Sequence, residues 1–170
     1  MTAYLYRMPA GIAGAISRPQ DLTTEPAILD ATNVFSAYGL PGKYSGDNFV
    51  PLASTDTASD IVGLLVRPWP TTDASDFARN VTSGGNQQGD ILKRGYINVN
   101  VGGDATAITK NASVYFDLST GSITATAPTT DTTTTDGTTT TATATVIQIP
   151  SAVFTGAGDA DGNAEVAYNI

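Results

Sequence analysis

The chain has 170 residues, 8 of them basic and 16 acidic, a formal net charge of −8, and neither Cys nor His. That length suffices for one ordinary domain with a real core. The missing residue types exclude thiolate or imidazole zinc sites, Cys nucleophiles, Ser-His-Asp triads and disulfide staples. So few cations, scattered along the chain, argue against nucleic acid as a partner, and the lack of any run of about 18 apolar residues argues against a membrane span.

Charged residues make up only 14% of the chain, and Thr, Ala, Gly, Asn and Asp crowd it, which favours strands and turns over helices. The expected fold is all-β: a small antiparallel β-barrel or sandwich over residues 48–170, preceded by a long, mostly irregular arm over residues 1–47. In the arm, Tyr4, Leu5, Tyr6 and Met8 are apolar without a sustained period. Pro9, Pro19, Pro26 and Pro41 alternate with Gly11, Gly14, Gly39 and Gly42, and each Pro removes a backbone donor and biases its predecessor toward extended geometry. Met8 to Ile16 resembles a signal-peptide core, but Pro9, Gly11 and Gly14 interrupt it and only Arg7 precedes it, so no leader is expected. Apolar side chains on extended backbone need a surface to cover. Either the arm wraps its own body or it lies on a partner.

In the body, Asp47 to Leu52 reads as a short edge strand because of Pro51. Ile61 to Arg67 is a continuous apolar run of strand length, expected to be buried on both faces. Trp69, between Pro68 and Pro70, can cap the core or anchor an interface, and a domain of this size more often buries its single Trp. Thr71 to Gly89 is polar, a loop or a short helix over Asp73 to Arg79. The strongest strand signal follows: Ile97, Val99 and Val101 alternate with Tyr96, Asn98 and Asn100, which puts the first three inward and the others outward. Gly102-Gly103-Asp104 supplies a turn, and Val114, Phe116 and Leu118 repeat the alternation. Two such strands with wet outer faces imply a sheet that covers a core on one side, usually antiparallel.

Ser119 to Ser122 reads as a hairpin turn. Residues 126–145 form a Thr-rich insert with nothing to bury, expected as an exposed hairpin tip. Thr143 to Ile149 resumes an alternating strand that Pro150 stops. Asp159 to Glu165 clusters oxygen ligands but fails the spacing of a calcium-binding loop, so it reads as an Asp- and Gly-rich turn with no metal. Val166, Tyr168 and Ile170 form a last strand. The sequons at Asn80 and Asn111 match by chance frequency alone. No catalytic constellation stands out and no cofactor is implied. A carboxylate-only glycosidase built on Asp159, Asp161 and Glu165 would lack the aromatics of a sugar cleft.

Three pieces together carry a resemblance: Met8-Pro9-Ala10-Gly11-Ile12-Ala13-Gly14, then Arg94-Gly95-Tyr96-Ile97-Asn98-Val99 followed by Lys110 to Tyr115, and finally Ile149-Pro150-Ser151-Ala152-Val153-Phe154 with Asp161-Gly162-Asn163-Ala164-Glu165-Val166. The pattern, spread over most of the chain, resembles the capsid cement, or decoration, proteins of tailed bacteriophages; the Thr-rich insert departs from it. The resemblance implies a structural protein, not an enzyme, on the outer surface of an icosahedral capsid. It would bind major capsid protein, bridge neighbouring capsomers, and act as a homo-oligomer, with a trimer favoured. Aromatic residues and Arg dominate interface energies, which makes Tyr4, Tyr6, Arg7, Arg18, Phe35 and Tyr38 the expected contacts. The alternative is a β-rich binding module of a phage fibre or cell surface that recognises host receptors or glycans.

Overall fold

The structure, a computed structural model, describes residues 11–68, 88–128 and 145–170, and the backbone of 132–135 and 138–141. Eleven strands run in chain order: β1 (Thr23–Leu29), β2 (Pro41–Ser45), β3 (Asn48–Pro51), β4 (Gly63–Val66), β5 (Gln88–Asn100), β6 (Ser113–Asp117), β7 (Ser122–Thr124), β8 (Thr132–Thr135), β9 (Thr138–Thr141), β10 (Val146–Phe154) and β11 (Asn163–Tyr168). The all-β expectation is met. Nine strands form one mixed sheet in the order β1-β3-β2-β4-β5-β11-β10-β6-β7, and β1 also pairs with β5.

That extra pairing closes β1, β3, β2, β4 and β5 into a ring. Ile91 and Leu92 are paired on both sides, to Glu25 and Thr24 of β1 and to Leu65 and Leu64 of β4. Past Gly95 the same strand changes company, and Tyr96 to Asn100 pair with Ala167 to Asn163 of β11. Gly95 sits at φ 141°, a conformation that side-chain-bearing residues rarely adopt. The Arg94-Gly95-Tyr96 motif thus marks the point where one long strand passes from the ring to the second half of the sheet.

The core is continuous across both halves. Phe49, Leu64, Leu65, Ile91, Leu92, Ile97, Val99, Ile149 and Phe154 have no measurable exposure and belong to one cluster. All four residues of β4 are buried, as its apolar run predicts. The hairpin between β6 and β7 turns at residues 118–121, and Gly121 has φ 67°. The Thr-rich insert supplies β8 and β9, which pair only with each other. Trp69 and the segment Thr71 to Ser83 lie outside the described residues.

Four expectations differ from what is found. Residues 23–29 and 41–45, placed in the irregular arm, are strands of the main sheet: β1 pairs with β5 from Thr23 to Ile28 despite Pro26, and β2 forms a hairpin with β3 across Gly46–Asp47. β3 is consequently internal, between β1 and β2, instead of an edge. Pro150 does not end its strand. β10 continues to Phe154, with a register shift between Gln148 and Val153 and Ser151 at φ 54°, and at such a bulge a missing N–H donor costs little. Finally, β11 stops at Tyr168, and Asn169 (φ 53°) turns the chain so that Ile170 is 56% exposed.

Candidate functional site

Asn98 is the one polar side chain among the described residues that is fully buried, at 5% exposure, although its strand pattern points it to the outer face. The reason is a strap. Residues 11–18 lie over that face and hydrogen bond to β5 like an added strand. Gly14 N–H donates to the Asn98 carbonyl at 2.7 Å, Asn98 N–H to the Ala15 carbonyl at 2.9 Å, and Ser17 N–H to the Tyr96 carbonyl at 3.1 Å. Ile16 bridges Ile97 antiparallel. The Asn98 carboxamide donates to the Ala15 carbonyl as well, at 3.4 Å. Its burial is therefore matched by partners, which is the condition for placing an amide in a dry site.

Two glycines let the strap come this close. A Cβ on Gly11 would meet the Asn98 carboxamide. Gly14 has φ 82° and lies against Tyr38 and Arg67. Arg67 clamps it from above: its N–H donates to the Gly14 carbonyl at 2.8 Å, its Nε to the Ala13 carbonyl at 3.0 Å, and its guanidinium covers the Tyr38 ring at 4.6 Å.

The other end of the strap is fastened by charge. Arg18 reaches Glu165 on β11 with Nη2 to Oε2 at 2.7 Å and Nε to Oε1 at 3.1 Å, while its guanidinium lies 4.1 Å from the centre of the Tyr96 ring. Ser17 Oγ donates to Oε1 at 2.6 Å, and Thr155 Oγ1 to Oε2 at 2.6 Å. Burial pushes the Glu165 pKa up. The hydrogen bonds from Ser17, Thr155 and Arg18 outweigh that and hold it below the ordinary glutamate value. A carboxylate with both oxygens committed in this way is a fastener, with no lone pair placed for acid–base work. Asp159 is similarly used, accepting from the Asn163 N–H at 2.7 Å to close the turn before β11. No group of three or more carboxylates among the described residues is placed to hold a metal ion.

Of the six expected contacts, Arg18 lies at the end of the strap against Glu165 and Tyr96, and Tyr38 packs against Gly14 of the strap and under Arg67; the two do not meet. Phe35 is 2% exposed and stacks on Phe49 with ring centres 5.1 Å apart, so it belongs to the chain's own core. Tyr4, Tyr6 and Arg7 lie outside the described residues. The sequence reading missed Asn98, Arg67 and Glu165. Arg18 and Glu165 are 147 residues apart, and nothing in a single sequence couples them.

The β body folds residues 11–18 onto itself and spends the Glu165 and Asp159 carboxylates on fastening. The chain belongs to the XM1 gp53 minor capsid protein family, which it matches over residues 1–168. Its role is structural and its place is the phage capsid. A chain in the structure titled "The capsid of Myoviridae Phage XM1" has the same fold, with a TM-score of 0.62 at 19% identity over 98% of this chain and 95% of that one. No curated protein matches the sequence.

Proposed function

We propose that the protein binds the outer surface of an icosahedral phage capsid and stabilises the lattice of major capsid protein by bridging neighbouring capsomers. The body grips one capsid subunit, and the ten residues before Gly11, with Tyr4, Tyr6 and Arg7, reach a second. The observation that supports this reading is the strap: backbone bonds, the Arg67 clamp and the Arg18–Glu165 pair fix residues 13–18 on the body. A tether that starts from a fixed point holds its second contact at high effective concentration, so two weak grips on adjacent subunits act as one strong one. Assembly as a trimer would multiply the grips again. The test is cosedimentation of the full chain, and of a chain starting at Gly11, with capsid shells that lack this protein. The full chain is expected to pellet with the shells and raise their melting temperature. The shortened chain is expected to bind about 10²-fold more weakly. Shells that ignore the full chain would overturn the reading.

A further inference from the structure

A groove of about 520 Å³ opens beside the fastened end of the strap, lined by Arg18, Tyr96, Lys110, Val153 and Ile170 among others. Three features converge on it, the first two of which share Ser151. The first is backbone conformation. Asn111 (φ 64°), Ser151 (φ 54°) and Asn169 (φ 53°) are the non-glycine residues with positive φ among the described residues. Asn111 and Ser151 line the groove, and Asn169 precedes Ile170 in it and donates its N–H to the Ser151 carbonyl at 2.9 Å. Asn enters this conformation readily, but Ser does so rarely, and the Ser151 backbone persists only where the surroundings hold it. The second is the bulge in β10 between Gln148 and Val153, a device that re-aims side chains.

The third feature is charge. In a chain of net charge −8, this groove carries two cations. Lys110 is exposed and makes no ion pair among the described residues. Arg18 spends Nε and Nη2 on Glu165, yet its side chain is 49% exposed. Next to them Ile170 is 56% exposed.

We infer that this groove is the body's docking site for a loop or extended segment of a capsid subunit that presents a carboxylate with an apolar residue beside it. The carboxylate pairs with Lys110 Nζ beside the half-exposed Arg18, and the apolar side chain covers Val153 and Ile170. Charge complementarity selects an acidic occupant, and the groove is continuous with the strap through Arg18, which belongs to both. The inference rests on the capsid-surface reading above and names the face that reading requires.

The test uses the full chain and shells lacking it, with Lys110→Glu, Ile170→Asp and the control Arg94→Glu. Arg94 is exposed, lies outside the groove, and makes the same change of charge. Lys110→Glu is expected to weaken shell binding tenfold or more, Ile170→Asp severalfold, and Arg94→Glu less than twofold, with unchanged melting temperatures. Equal losses for Lys110→Glu and Arg94→Glu would show a diffuse field and overturn the groove. So would wild-type binding indifferent to Lys110→Glu, while leaving capsid binding itself intact. If Lys110→Glu abolished self-association in sedimentation but spared shell binding, the occupant would be a second copy and the capsid assignment would fall. Failure of the wild type to bind at all overturns the underlying reading instead.

Discussion

The Arg18 guanidinium meets the Glu165 carboxylate with two hydrogen bonds, at 2.7 and 3.1 Å, across 147 residues of sequence. This pair joins the leading segment to β11, the neighbour of the central strand β5. Removing Glu165 deletes the acceptor for Ser17, Arg18 and Thr155 together. Arg18 is half exposed, so water screens part of the interaction, and about 2 kcal/mol of local stability is at stake. Glu165→Ala should therefore speed amide exchange of Gly14, Ser17 and Asn98 at least tenfold, while core amides such as that of Leu92 stay protected. Exchange measured by NMR checks it, and uniform loss of protection would mean that Glu165 holds up the whole fold.

Acid should have the same effect. The folded Glu165 pKa lies below the ordinary value of 4.5, so its contribution is fully present above that value and is lost as pH falls through the folded one. Asp30, Asp60, Asp104 and Asp117 are also depressed by hydrogen bonds within their turns, and the whole domain weakens in acid for that reason. The Glu165 share is the difference between wild type and Glu165→Gln. The two proteins should differ in strap protection at pH 7 and converge as pH falls through the folded pKa, below 4.5; a constant gap would contradict the assignment.

Gly14 offers a sharper probe of how the strap is seated. Its φ of 82° disfavours any side chain, and a new Cβ would press on Tyr38 and stand 3.1 Å from Arg67 Cβ. Gly14→Ala should cost about 1–3 kcal/mol. Gly103→Ala, where a Cβ meets nothing within 4 Å, should stay within about 0.5 kcal/mol of wild type. Denaturant midpoints of the two variants decide the matter, and equal midpoints would show that the strap is not seated as described.

Phe35 separates core from contact. Its ring stacks on Phe49, and Gly42 faces both rings, with room for no Cβ short of 2.5 Å from Phe49 and 2.7 Å from Phe35. Phe35→Ala should cost about 3–5 kcal/mol and lower the melting temperature by roughly 10 °C in a domain of this size. A variant that melts normally but fails to bind shells would return Phe35 to the contact surface.

How much of this was legible in the sequence follows from what each signal measures. Alternation found the inner faces of β5, β6 and β11, and the apolar run found β4, because these patterns report burial by the chain's own sheet. The same alternation put Asn98 in solvent. It could not see the strap, whose contact with β5 is mostly backbone and leaves no side-chain period. Pro26 and Pro41 suggested irregular chain at β1 and β2, yet Pro41 opens its strand and Pro26 lies in one paired through its other residues. Residue type marks Arg18 and Tyr38 as interface formers, and both make contacts within the chain, Arg18 to Glu165 and Tyr96, Tyr38 to Arg67. Which atoms they grip depends on Glu165 and Arg67, which only the fold brings near.

We propose, then, that the protein lies outside the capsid shell and joins adjacent capsomers. Image reconstruction of the mature particle at a resolution that traces backbone tests it most directly. The account predicts the β body on the exterior, its Lys110–Ile170 face against one capsid subunit and the residues before Gly11 running onto a neighbour. A body on the interior of the shell, or one touching a single subunit with its leading segment free in solvent, would contradict it.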